Sequence, residues 1–84
     1  MFLHIGTDIE IMKKDIIVVI DIKSVENSDI NSQFFNRAKK EGRVVNIIQQ
    51  PKSVILVNHM GEEKIYLSPI SSSTIQKRMA EERK

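Results

Sequence analysis

The chain has 84 residues, a formal net charge of +2 and no cysteine, which limits it to one domain and excludes disulfides and thiolate metal sites. A chain this short buries only about 60–65% of the surface that its unfolded form exposes, and oligomerisation often replaces a covalent or metal staple. Residues 1–12 lack the features of a signal peptide, and the longest apolar run, Ile16 to Ile20, has five residues against the roughly 20 needed to cross a bilayer, so a soluble, cytoplasmic protein with no membrane partner is expected.

In chain order, Phe2 to Ile5 reads as a strand, Gly6-Thr7-Asp8 as a turn and Ile9 to Met12 as the return strand of a hairpin. Lys13-Lys14-Asp15 punctuates. Ile16 to Ile20 is apolar and β-branched, which favours a strand. Residues 23–29 are polar and turn-like, and Ser28 or Asp29 offers a side-chain oxygen to cap a helix. Ile30, Phe34, Phe35 and Ala38 then recur at helical spacing, with Phe34 and Phe35 assigned to the core, until Gly42 stops the helix. Val44 to Ile48 reads as a strand and Gln49 to Lys52 as a loop fixed by Pro51. Ser53 to Asn58 and Lys64 to Ser68 form a second hairpin around His59 to Glu63, and Pro69 ends it. The expected fold is α+β, a small, mostly antiparallel sheet in the order β-β-β-α-β-β-β-α, within a single domain over residues 1–84.

The strands at 16–20 and 54–57 are apolar on both faces, so both sides of the sheet need cover. The helix at 30–41 covers one. The terminal helix offers little beyond Ile75, Met79 and Ala80, which makes a second subunit the simplest lid for the other. Three serines precede that helix, and Ser73 with Gln76 matches a capping box. Such a cap contributes roughly 1 kcal/mol, which matters for a helix too short to stand alone. The same free amides and hydroxyls offer the alternative of an anion site.

Little here suggests catalysis. His4 and His59 lie far apart with no cysteine to complete a metal set, and no nucleophile–base pattern or glycine-rich phosphate loop is present. Neither an enzyme nor a cofactor is expected, and Tyr66 is assigned to packing. Residues 43–84 hold seven bases and four acids, and residues 1–42 hold six and seven, a modest excess that needs one face or many copies to attract nucleic acid. Lys77, Arg78, Arg83 and Lys84 are offset by Glu81 and Glu82 and read as a solvated helix end.

"HIGTD", "KDIIVVID", "PKSVILV" and above all "YLSPISSSTIQKR" resemble the bacterial extracellular matrix regulator B (RemB) family, relatives of the RemA-type biofilm regulators, over about residues 2 to 79. The resemblance implies a small cytoplasmic transcriptional regulator of matrix or biofilm genes. The RemA branch forms ring-shaped homo-oligomers that bind double-stranded DNA along a basic surface. That branch carries an arginine pair before the strand equivalent to 53–58 and another arginine at the start of the strand equivalent to 16–20. This sequence has Gln49-Gln50-Pro51-Lys52 at the first place and Lys13-Lys14-Asp15 at the second. Lysine pairs with phosphate as a point charge, without the planar fork of arginine. The DNA-binding candidates are therefore Lys13, Lys14, Arg43 and Lys52, and the three lysines share a rim if strands 16–20 and 53–58 start at one end of the sheet. Two readings stand: a DNA-associated homo-oligomeric ring, and an assembling interaction protein, in company with a RemA-type partner, that never touches DNA.

Overall fold

Alternation builds the first hairpin. In the computed structural model, which describes residues 2–6, 8–46 and 48–80, β1 (Phe2–His4) pairs antiparallel with β2 (Glu10–Met12), so that Leu3 faces Ile11. Both are buried, while Phe2, His4 and Glu10 point outward. The Ile5 amide donates to the Ile9 carbonyl at 3.0 Å and closes the turn; Thr7, part of that expected turn, lies outside the described residues. A 3-10 turn at Lys13–Asp15 leads into β3 (Ile16–Asp21).

The main sheet has the order β3-β4-β5, with β4 (Ser53–His59) in the middle and β5 (Glu62–Ser68) at one side, all antiparallel. The β4–β5 hairpin is tighter than the sequence suggests. His59 faces Glu62, leaving only Met60 and Gly61 in the loop, with φ of 53° and 86°. Two positive φ values are what a two-residue type I′ turn requires. Gly61 takes that conformation freely, whereas Met60 gives up about 1 kcal/mol for it. Asn58 Oδ1 accepts the Gly61 amide at 3.1 Å.

The α+β, antiparallel character is as expected; several elements are not. Residues 22–27 form a short helix, α1 (Ile22–Asn27), where a polar turn was expected. Asp21 caps it by accepting the Lys23 amide, and Val25 is buried. Ser28 caps α2 (Asp29–Lys40) through the Asn31 amide. That helix ends as Gly42 demands: the Gly42 amide reaches the Lys39 carbonyl and the Arg43 amide reaches that of Ala38, the paired bonds of a Schellman stop. Phe35 and Ala38 enter the core, but Ile30 is 79% exposed and Phe34 is only half-covered. The apolar stripe of α2 is thus narrower than its sequence spacing implies.

The expected strand at 44–48 shrinks to one parallel bridge, Val44 to Ile65. Beyond it Asn46 takes over the ladder: its side chain donates to the Leu67 carbonyl at 2.9 Å and accepts the Leu67 amide at 2.8 Å. A side-chain amide with both a donor and an acceptor substitutes for a backbone pair, so the chain need not continue in register. Ile47 lies outside the described residues.

The α3 helix (Ser72–Ala80) is capped by Ser71, not Ser73. Ser71 Oγ accepts the Thr74 amide at 3.3 Å. Ser68, Pro69 and Ile70 tie this segment down. Ser68 is fully buried; its hydroxyl donates to the Ile5 carbonyl and accepts the Ile70 amide. Ser53, equally buried, donates to the Ile70 carbonyl at 2.7 Å.

Both faces of the central strand are covered within one chain. Val54, Ile65 and Leu67 pack with Val25 and Ala38 beneath α1 and α2. On the other side Ile55 and Val57 pack with Leu3, Ile5, Ile11 and Ile75. The first hairpin, which the sequence reading did not place over the sheet, is the missing lid. Even α3 contributes more than its composition suggests, because Ile75 is completely buried. The need for a second subunit to close this face is therefore removed. Strand β3 is also not buried on both sides: it is an edge strand, with a register shift around Ile17, and Ile17 and Val18 are 55% and 40% exposed.

Candidate nucleic-acid interface

The four candidate cations do not form one patch. Strands β3 and β4 are antiparallel, with Ile16 facing Val57 and Asp21 facing Ser53. Lys13 and Lys14 therefore sit at the end where β3 begins, and Lys52 sits at the opposite end. Six residues at about 3.3 Å each separate them by roughly 20 Å. The shared rim does not exist, because it required the two strands to start together.

Their chemical states differ as well. Lys13 Nζ donates to the Arg78 and Met79 carbonyls at 2.9 and 3.3 Å, so it satisfies the C-terminal carbonyls of α3. Arg43 is held on three sides. Its Nε and Nη2 reach Glu41 Oε1 at 2.8 Å, and its Nη1 reaches Glu63 Oε1 at 2.8 Å. The guanidinium carbon also lies 5.8 Å from the centre of the Phe34 ring. Two carboxylates on one guanidinium make the local charge negative, and the pairs tie the end of α2 to β5 within the chain. Lys14 and Lys52, by contrast, are exposed and have no carboxylate partner among the described residues.

The sequence reading passed over a denser basic run. Arg37, Lys39 and Lys40 lie in the last turn of α2, all exposed. Three bases in four positions complement the helix dipole there, and that structural role does not prevent contact with phosphate. Lys39 also lies 5.9 Å from the centre of the Phe35 ring. The signal was present in the spacing, but it reads as an ordinary solvated face until the helix is seen to end beside the sheet.

Both histidines are structural. His4 Nε2 pairs with Glu10 across the first hairpin, and His59 Nδ1 pairs with Asp15 where β3 meets β4, each at 2.7 Å. No group of three metal-ligating side chains occurs among the described residues, and none of their helices is long and apolar enough to cross a membrane. Tyr66 packs against the core beneath the first hairpin.

A small α+β frame with scattered surface cations and a serine-rich entry to its last helix is the architecture on which family comparison bears. The family model described as "RemA-like: Extracellular matrix regulatory protein A-like" matches residues 2–79, and the chain belongs to that family. It is 33% identical over 78 residues to extracellular matrix regulatory protein B of Bacillus subtilis (strain 168), a match that covers 93% of this chain and 89% of the relative.

Proposed function

We propose that this protein is a cytoplasmic, non-enzymatic regulator of extracellular-matrix genes that acts as a homo-oligomer associated with DNA. Membership of the RemA-like family over residues 2–79 carries this reading, and the name of its B. subtilis relative points the same way. The geometry supports a particular mode of contact. Each chain offers a few separated cations, Lys14, Lys52 and the end of α2. One chain would bind weakly, but copies in a ring multiply phosphate contacts, so avidity replaces single-site strength. Selectivity would then come from the shape and bending of the DNA more than from base edges.

A second reading has its own support. Lys13 and Arg43, two of the four candidate cations, are engaged inside the fold, which favours an accessory protein that assembles, alone or with a RemA-type partner, without touching DNA. A mobility shift with the purified protein and double-stranded DNA separates the two. For the DNA reading, affinity falls about tenfold or more between 50 and 200 mM salt, as expected for several phosphate contacts per assembly. No shift at 50 mM salt with micromolar protein would establish the accessory reading instead.

A further inference from the structure

The outward side of α2 carries a stripe that the helix itself does not explain. Gln33, Asn36, Arg37 and Lys40 are spaced i, i+3, i+4 and i+7 and are all exposed, so they lie along one face. Ala38 and Phe35 hold the opposite side against Val54, Ile65 and Leu67. A solvent-facing helix usually gains from acids set four residues before its bases. Here that place is taken by amides: Gln33 precedes Arg37, and Asn36 precedes Lys40. No acid occurs between Ile30 and Lys40. Glu41, the next one, is bound by Arg43 at 2.8 Å, and Asp29 stands one turn before Gln33 at the start of the helix. The helix dipole accounts for bases in the last turn, but not for amides in place of acids. None of the four side chains makes an ion pair or hydrogen bond among the described residues.

We infer that this stripe is the principal seat of double-stranded DNA on each chain, its cations and amides donating to phosphate oxygens. This rests on the DNA reading above and deepens it by naming the surface. The partner follows from the donor set. Arginine, lysine, asparagine and glutamine all donate to phosphate, and such contacts position a duplex without reading its bases. From Gln33 to Lys40 the stripe runs about 10 Å along the helix, room for neighbouring phosphates of one strand. Lys39, 5.9 Å from the centre of the Phe35 ring, adds a cation at its flank. Lys14 and Lys52, each alone at opposite ends of β3 and β4, offer no comparable cluster.

Two kinds of variant test the stripe. Arg37→Gln combined with Lys40→Gln removes its cations at exposed positions with a residue that favours helix. Lys23→Gln combined with Lys77→Gln is the control, equal in charge, exposed and off the stripe. Mobility shifts on one duplex over a range of salt give the readout, with circular dichroism to establish the fold. At 50 mM salt the stripe variant should bind at least about tenfold more weakly than wild type, with a flatter salt dependence, and the control less than about threefold more weakly. Gln33→Glu supplies the missing acid four residues before Arg37, so it should raise the melting temperature slightly while weakening DNA binding. If the wild type binds and the stripe variants bind as tightly, or the control loses as much as they do, this inference fails and the DNA reading survives. If the wild type gives no shift at 50 mM salt, the DNA reading fails and the inference falls with it.

Discussion

Single side chains in this protein divide into those the fold consumes and those it leaves to solvent. Arg43 belongs to the first group, bound by Glu41 and Glu63 and stacked near Phe34, and Lys52 to the second. Replacing each separates the roles. Arg43→Gln loses partly exposed ion pairs and a ring contact, which together stabilise by about 1 kcal/mol; urea denaturation should show that loss while DNA affinity changes little. Lys52→Glu should do the reverse, leaving the denaturation midpoint nearly unchanged and weakening DNA binding several-fold. Because Lys52→Glu changes the charge by two units and Arg43→Gln by one, losses of binding free energy in a two-to-one ratio would mean that net charge alone governs the contact. Ser68 shows how completely a small side chain can be consumed: one buried hydroxyl holds the Ile5 carbonyl and the Ile70 amide, joining the first hairpin to the approach of α3.

At the level of elements, the serine-rich approach to α3 is a docking and capping segment. Ser68 and Ser53 fix the chain through Ile70, and Ser71 then supplies the cap. The cap matters because α3 has only nine residues, too few for a helix to persist alone in water. Its far end is held too, by Lys13 on the Arg78 and Met79 carbonyls and by the Arg78 guanidinium on the His4 carbonyl. Ser71→Ala should therefore cost about 1 kcal/mol in chemical denaturation, and Ser73→Ala clearly less, since Ser73 contributes only a hydroxyl contact to Ser71 at 3.2 Å. The opposite ranking would restore Ser73 as the cap.

For the whole molecule, the question is what its remaining apolar surface does. Both faces of β4 are sealed within the chain, yet Phe2, Ile17, Val18 and Met60 remain exposed, and β3 pairs on one side only. An open edge with apolar neighbours invites another chain, although the register shift around Ile17 makes that edge a poor template for continuous pairing. Assembly is thus expected from this exposed surface rather than from an uncovered core. Light scattering should give a mass several times the 9.7 kDa of the chain. A stable monomer at tens of micromolar would remove the proposed ring and, with it, the avidity on which the proposed DNA association depends.

The sequence by itself determined the local items. Gly42 stops α2, Ser28 or Asp29 starts it, the run from Ile16 forms a strand, and the second hairpin turns within His59–Glu63, because each depends on the conformational preferences of a few adjacent residues. The family was legible from resemblance, above all in the stretch YLSPISSSTIQKR; that Ser68 is a buried tether and Ser71 the helix cap is visible only in the structure. Only the tertiary structure decided what covers what. Leu3, Ile5 and Ile11 form a lid because the hairpin folds back over β4, and Asn46 replaces a strand because Leu67 lies beside it. Lys13 and Lys52 part because β3 and β4 run in opposite directions. Periodicity states which side of an element is apolar but not what it meets, and the direction of a neighbouring strand has no local signature. Chain position alone therefore does not bring Lys13, Lys14, Arg43 and Lys52 onto one face, whereas the cap and the glycine stop of α2 are fixed by adjacent residues.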